Sequence, residues 1–527
     1  MPLDDTNIPG HKAPLDLYLG NKIKRFPIVF YDFEMNFANV RERALYWFIN
    51  EATDDEGWES KSLPLSTSNR FGAKIARALG SRSDWDAATV ARWRERVAKG
   101  LKDHLPFLKD GFSDAMFNYC LRELRFKAEE YRRSGIVAVL DGAGAVLKSD
   151  RAVSPALRTR LLEALTPFSN IPEDEKDWHP GSHGTVNVLI NPSLFPLVYG
   201  RTRLVTDRDI HVDSCLASYG LGNCISVALE DAHPHLDTEF SRRFQWLPAN
   251  VDVGSGKARI VSYINNLHPV KHRDLYGVVE ELIDAALPMW SAVYGRVMDW
   301  SERWPILGFS RRAIKAKDRQ EKRKRLVIVQ FTNIELTPEK PEYHGGKWHV
   351  EGLINERICA TALYYYDVDN VTPSRLSFGS TNPWYPHNAP NYNKEEDGQG
   401  HLDLGSVQTR EGRLLAFPNV FLHKVEPFEL VDKTRPGHRK LVALFLVDPM
   451  TPVLSTANVP PQQKEWSPLL GTVGRHLSQE LVEEIESYFE GPFDRAEALR
   501  LRDELIAKRR NDNMGTFFWT RRIYKVS

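Results

Sequence analysis

Two periods of apolar residues divide the chain. Spacings of three and four, the mark of a helix with one buried stripe, run through Val90, Trp93, Val97 and Leu101, and again through Phe117, Leu121, Leu124, Ala128 and Tyr131. Ser83 is placed to cap the first helix and Ser113 the second, with Gly135 as a C-terminal stop. Helical spacing returns over residues 273–298 through Leu275, Val278, Val279, Leu282, Ile283 and Ala286. It returns once more in the tail, where Asp494-Arg-Ala-Glu497 reads as a capping box ahead of Ala498, Leu501 and Leu505. Residues 165–265 instead mix Pro and Gly with short apolar runs such as 186–190 and 260–264, which predicts loops and strands. From residue 326 the period drops to two, and β-branched residues predict strands over 326–336, 358–367, 413–417, 420–430 and 440–447. Among them lies a long polar loop, 381–400, with Pro383, Pro386 and Pro390; loops of this length in a compact domain often act as lids or substrate walls. The expected fold class is therefore α+β, with a helix-rich region before the strands and helices after them.

Composition narrows the partners. The 527 residues are 42% hydrophobic and 27% charged, as in an ordinary globular protein with ample length for a large core. Lys plus Arg equals Asp plus Glu at 70 each, so net charge gives no pull toward nucleic acid or an anionic membrane, and neither is expected as a partner. One basic run, Arg311 to Arg325, lacks interleaved aromatics and reads as a solvated helix face. The four cysteines, Cys120, Cys215, Cys224 and Cys359, lie far apart without a C-x-x-C pair, which points to a reducing compartment. Residues 1–10 are polar and no window is apolar for about 18 residues, so a cytoplasmic location is expected.

The candidate chemistry centres on His349-Val-Glu351, with His423 and Arg439 downstream. On a strand, residues i and i+2 point the same way, so His349 and Glu351 can share one metal with His423 as the third ligand. Two imidazoles and a carboxylate are the ligand set of non-haem iron(II) oxygenases, which keep coordination positions open for cosubstrate and oxygen. His344 is an alternative ligand, although its five-residue distance from His349 suits a strand poorly. His387, His401 and His438 sit in turn-rich sequence and read as solvated. Asn265, Asn266 and His268 follow a strand-like run, where they either line a pocket or satisfy backbone groups.

His423-Lys-Val425-Glu-Pro427, followed by Arg439 at the head of an apolar strand, resembles the 2-oxoglutarate oxygenases, especially their prolyl-hydroxylase-like branch. The resemblance implies a double-stranded β-helix (jelly-roll, cupin-like) core over 311–450, a mixed, helix-rich region over 1–310 packed on it, and a helical extension over 451–527. It assigns His349, Glu351 and His423 to Fe(II), and Arg439 to the far carboxylate of the 2-oxoglutarate cosubstrate. A guanidinium suits that task through two parallel charge-assisted hydrogen bonds. Arg435 precedes Pro436-Gly437 and looks like a turn residue, while Lys440 points to the opposite face of a strand starting at Arg439. The run Cys359-Ala-Thr-Ala-Leu-Tyr-Tyr365-Tyr-Asp367 is similar to the family strand whose tyrosine also binds that carboxylate, which makes Tyr365 the match; an aromatic core strand is the plainer alternative.

The family usually carries Asp where Glu351 stands; Glu occurs in several amino-acid hydroxylases of the superfamily, and halogenases resemble the pattern with a small residue there. The implied activity is hydroxylation, or desaturation or cyclisation, at an unactivated C–H bond of a small molecule such as an amino acid or derivative. It consumes O2, yields succinate and CO2, and has ascorbate as a supporting reductant. A protein-residue hydroxylase and a catalytically silent binding module of the same fold are the alternatives, and residues outside the core leave room for a homodimer face. Longer phrases, Asn191-Pro-Ser-Leu-Phe-Pro-Leu-Val-Tyr-Gly-Arg201, Ser262-Tyr-Ile-Asn-Asn-Leu-His-Pro269, His272-Arg-Asp-Leu-Tyr276 and Val459-Pro-Pro-Gln-Gln463, resemble those of a large, mainly fungal family with a domain of unknown function.

Overall fold

The computed structural model describes residues 40–60, 85–104, 112–140, 145–169, 171–225, 241, 243–303, 324–380, 392–394, 400–449, 452–468, 476–488 and 491–519. The caps and stripes read from the sequence set the helices. Asp114–Ser134 starts at Ser113, whose hydroxyl accepts from the Met116 N–H, and ends at Gly135 with φ +71°. Ala87–His104 is capped by Asp86, which accepts from the Thr89 N–H at 2.8 Å; the expected cap, Ser83, lies outside the described residues. Arg273–Arg303 buries Leu275, Val279, Leu282, Ile283 and Ala286 as one stripe, and Asp494 caps Arg495–Trp519 by accepting from the Glu497 N–H at 2.8 Å.

Before residue 310, the strands that join the main sheets are β1 (Val137–Val139), β2 (Val146–Ser149), β3 (Val186–Ile190), β4 (Ala249–Asp252) and β5 (Arg259–Ile260), beside short two-stranded ribbons. After it come β6 (Lys324–Leu336), β7 (Ile358–Asp369), β8 (Arg375–Ser380), β9 (Tyr392–Lys394), β10 (Gly400–Gln408), β11 (Leu414–Pro418), β12 (Leu422–Val425) and β13 (Gly437–Val447). Nine of them form one antiparallel sheet in the order β1-β2-β11-β7-β13-β6-β4-β5, with β3 also paired to β6. Four form a second sheet, β9-β10-β8-β12. Strand β6 is shared: β13 covers one edge from Val327 to Leu336, while β4 and β3 divide the other. Most of the basic run 311–325 lies outside the described residues, but Arg325 is a fully buried residue of β6 and not part of a solvated helix face.

Alternation along the central strands explains the layers. Ala362, Tyr364 and Tyr366 of β7, with Val442, Leu444 and Leu446 of β13, pack toward the helix Arg273–Arg303. Leu363 and Tyr365, with Ala443, Phe445 and Val447, face the second sheet, where Leu376, Phe378, Leu404 and Val407 meet them. Phe378 and Phe417 close this interior edge to face, with ring centroids 5.0 Å apart. Both faces of the large sheet are thus buried, which is why its middle strands read as nearly unbroken apolar runs. The chain passes between sheets repeatedly, β6 and β7 in the large one, β8 and β10 in the small one, then β11, β12 and β13 alternating. Among the described residues no helix is long and apolar enough to cross a membrane, and all four cysteines are free.

A buried ionic cluster joins the N-terminal helix Val40–Ala52 to the sheets. Lys148 and Arg413, at 1% and 0% exposure, meet at Asp54, with N–O distances of 2.6 and 2.7 Å. Arg413 also donates to both oxygens of Asp150, at 2.8 and 2.9 Å. Burial pushes the Lys148 ammonium down to about 8 against the opposing pull of Asp54.

Candidate metal centre

His423 lies on β12, its side chain almost fully buried, and its backbone pairs with Phe378 on one side and His349 on the other. The His349–His423 pair is a single antiparallel bridge, closed by N–H···O bonds of 3.1 and 2.9 Å. Thus His349-Val-Glu351 is not a regular strand, as the sequence suggested. One bridging pair at the edge of the small sheet fixes His349, and a bend carries Glu351 round to meet it. The outcome is nonetheless convergent. One donor atom from each of His349, Glu351 and His423 lies within 4.8 Å of the others, the sole such group found among the described residues.

Hydrogen bonds set the state of each donor. Each imidazole turns Nδ1 to the carbonyl two residues before it, His349 to Lys347 at 2.8 Å and His423 to Phe421 at 3.4 Å. An Nδ1–H tautomer on both rings leaves both Nε2 lone pairs free for a cation. Glu351 Oε1 lies 3.2 Å from His423 Nε2 and 3.8 Å from His349 Nε2. Burial would raise the Glu351 carboxyl, but in the metal-free protein a proton on Nε2 of His349 or His423, in the place a cation would take, holds it well below the usual carboxylate range. Burial and the neighbouring His349 push His423 down; burial also acts downward on His349, where Glu351 overcomes it and raises the ring. An anionic carboxylate and neutral imidazole donors at this spacing fit a divalent cation.

A residue that spacing did not reveal holds the carboxylate's backbone. Asn419 Oδ1 accepts from the Glu351 N–H at 2.9 Å, and its Nδ2 donates to the Glu351 carbonyl at 2.8 Å and that of Ile358 at 3.1 Å. An Asn after a strand reads only as a turn; nothing local ties it to a residue so far upstream.

Deeper between the sheets, Arg439 has no exposed surface, and Nε, Nη1 and Nη2 are all without a hydrogen-bond partner. Its guanidinium stands over the Tyr365 ring at 4.6 Å and the Phe428 ring at 5.9 Å, and the Tyr365 hydroxyl is likewise buried without a well-formed hydrogen bond to the protein, with the Arg439 charge acting on it. Native proteins seldom leave such groups unmet. Three cationic donors and a hydroxyl aimed into one interior fit an anionic group such as the far carboxylate of 2-oxoglutarate. Lys440 points to the other face and pairs with Asp367 at 2.8 Å, and Arg435 is an exposed turn residue bound to Asp369 at 2.6 Å.

Other candidates fall away from the site. His344 is exposed and outside the three-donor group, and His438 pairs with Asp367 at 2.9 Å. His387, the side chain of His401 and most of the loop 381–400 lie outside the described residues. The amides of Asn265 and Asn266 donate to the carbonyls of Asn191, Leu194 and Phe195, and Gln463 donates to both of their side-chain oxygens at 3.0 Å. His268 accepts from the turn N–H of Val270. The phrases around Asn191, Ser262 and Gln463 therefore meet in a hydrogen-bonded knot that serves the fold, not the metal site.

Two packed antiparallel sheets holding a two-histidine, one-carboxylate group define the class of molecule. The chain belongs to the family described as "Protein of unknown function (DUF4246)", which matches residues 114–325 and 299–468. No curated protein sequence matches it. Among solved structures it is similar to IDO from Bacillus thuringiensis, at 10% identity over 61% of this chain and 92% of that one, TM-score 0.24. It is also similar to the Fe(II)/(alpha)ketoglutarate-dependent dioxygenase TqaL, at 13% identity over 58% and 94%, TM-score 0.26. A prolyl-4-hydroxylase from Pseudomonas putida shares 11% identity over 32% and 63%, TM-score 0.17.

Proposed function

We propose that this protein is an Fe(II)- and 2-oxoglutarate-dependent oxygenase, and that its two sheets are a double-stranded β-helix. One observation carries the reading: the His349–Glu351–His423 donor group, with His423 buried and the other two half-buried, is accompanied on the inner face of the large sheet by Arg439 and Tyr365, a cation and a hydroxyl without protein hydrogen-bond partners. A structural metal site needs no such cation, and a structural arginine would be paired.

When bound, iron and 2-oxoglutarate supply the oxidising chemistry, in which O2 and the decarboxylation to succinate and CO2 drive attack on an unactivated C–H bond. The chain's own part is binding and orientation. His349, His423 and Glu351 hold the metal through three donors and leave its remaining positions open. Asn419 fixes Glu351, and the two Nδ1 contacts fix the rings. Arg439 grips the far carboxylate with Tyr365 beside it, while Phe378, Phe417 and Phe445 keep water from the interior. The proposed substrate is a small molecule, with an amino acid or derivative favoured by Glu351 in the place of Asp.

Anaerobic addition of 2-oxoglutarate to the iron-loaded protein should produce a visible charge-transfer band, and admitting O2 should release succinate, slowly without substrate and faster with it. Metabolite pools that accelerate succinate release support a small-molecule substrate, whereas stimulation by peptides alone would move the substrate to protein residues. If the protein binds no iron and never turns over 2-oxoglutarate, the proposal fails.

A further inference from the structure

The C-terminal helix Arg495–Trp519 reaches the turn that follows Glu351. Five residues after that ligand, Glu356 has no exposed surface, yet its carboxylate is fully met. Oε1 accepts from the Trp246 N–H and Oε2 from the Leu353 N–H, both at 2.6 Å, and Arg509 Nη2 donates to the two oxygens at 2.6 and 2.8 Å. The Arg509 guanidinium lies 3.6 Å from the Trp246 ring, and the Trp246 indole is itself held by Ser193 at 3.0 Å. One carboxylate thus gathers three segments far apart in sequence.

Gly352 is shaped around this carboxylate. It has φ +75°, and a Cβ there would stand 2.6 Å from Glu356 Oε2 and 2.7 Å from Ile358 Cδ1. The Glu356 N–H closes the same turn on the Leu353 carbonyl at 3.0 Å. Glu351 is therefore held from two sides. Asn419 fixes its own peptide groups, and Glu356 fixes the residues that follow.

We propose that the Arg509–Glu356 pair is a positioning device for Glu351, which makes the C-terminal helix part of the metal centre. The inference rests on the reading that Glu351 ligates a metal. A buried ion pair is a costly way to dock a helix, since apolar residues of similar volume do as well or better. Nor is it needed for docking. Arg201 grips Glu497, Arg502 grips Asp177, and Arg243 meets Glu504 at 2.6 Å, while Ala498, Leu501 and Leu505 bury the apolar stripe. What the Arg509 pair adds is a rigid turn beside a ligand, and rigid support of that kind sets ligand geometry.

The test uses metal-free full-length protein, Co2+ as the probe followed by its visible absorption, and hydrogen exchange of the amides over 351–356. Arg509→Gln and Glu356→Gln should raise the Co2+ dissociation constant about 10- to 100-fold, with faster exchange over 351–356 before any metal is added. Glu497→Gln loosens the same helix elsewhere and should change neither readout. Arg509→Lys keeps the charge without the planar stack on Trp246 and should fall between wild type and Arg509→Gln. Native Co2+ affinity in a folded Arg509→Gln protein overturns the proposal, as does equal weakening in Glu497→Gln. If Arg509→Gln does not fold, Arg509→Lys decides, and wild-type behaviour in both readouts overturns it. A wild-type protein that takes up no Co2+ removes the metal reading itself, and this proposal with it.

Discussion

Replacing Arg439 by Met should stabilise the protein while abolishing its grip on 2-oxoglutarate, and the opposite signs make the substitution diagnostic. All three guanidinium nitrogens are buried without a partner. A buried donor left unmet costs about 1–3 kcal/mol, more when charged. The ring of Tyr365, 4.6 Å away, offsets part of this by about 0.5–2 kcal/mol. Summed over three nitrogens that no protein group meets, this leaves the ligand-free protein, before water is counted, a net penalty of several kcal/mol, part of which Met, similar in length and uncharged, removes. Bound cosubstrate reverses the balance. Two charge-assisted hydrogen bonds of about 1.5–3 kcal/mol each would be lost, or roughly two to four powers of ten in affinity. Thermal unfolding of Co2+-loaded protein with and without 2-oxoglutarate reads both terms. Wild type should melt lower alone and rise with ligand, by about 2.7 kcal/mol of stabilisation at a hundredfold excess over the dissociation constant; Arg439→Met should melt higher alone and not respond. A ligand-free Arg439→Met protein less stable than wild type, or one that still responds at the same concentrations, would refute the reasoning.

His349→Ala, Glu351→Ala and His423→Ala should each abolish Co2+ binding by calorimetry while far-ultraviolet circular dichroism stays unchanged, because each removes one of three donors and leaves the backbone bridge between residues 349 and 423 in place. Asp150→Asn should cost about 3–5 kcal/mol in urea unfolding at neutral pH, since it strips a buried guanidinium of its two-oxygen partner. The pH dependence follows in sign. Burial acts upward on Asp150, but Arg413 and Arg410 hold its carboxyl well below the ordinary value, so it stabilises the fold above that ordinary value and loses this as pH falls toward the folded one. The wild-type advantage over Asp150→Asn should therefore shrink steadily below about pH 4. Ser113→Ala should cost about 1 kcal/mol by the same assay through loss of the helix cap.

What the sequence revealed was governed by local period. Phe117 to Tyr131 and Leu275 to Ala286 lie on buried helix faces as their spacing requires, and Arg439 faces inward while Lys440 faces out because a strand alternates. His349, Glu351 and His423 bring donor atoms within 4.8 Å of one another, through one bridging pair in place of the strand that their spacing suggested. The misses share one cause, long-range pairing. Asn419 on Glu351, Arg509 on Glu356 and Gln463 on Asn265 are contacts between distant segments that leave no periodic trace. Arg325 shows the same limit: its basic neighbours suggested solvent, and its place in β6 put it inside.

Strand β6 draws its second edge from β3 and β4, which lie before residue 310. A fragment beginning near residue 311 would present that edge bare, a row of unpaired amides and carbonyls that invites another chain to add to it. Such a piece should precipitate, not fold by itself. The two halves are thus partners in one act of folding, and attempts to graft or shrink the strand-rich half must carry β3 and β4 along.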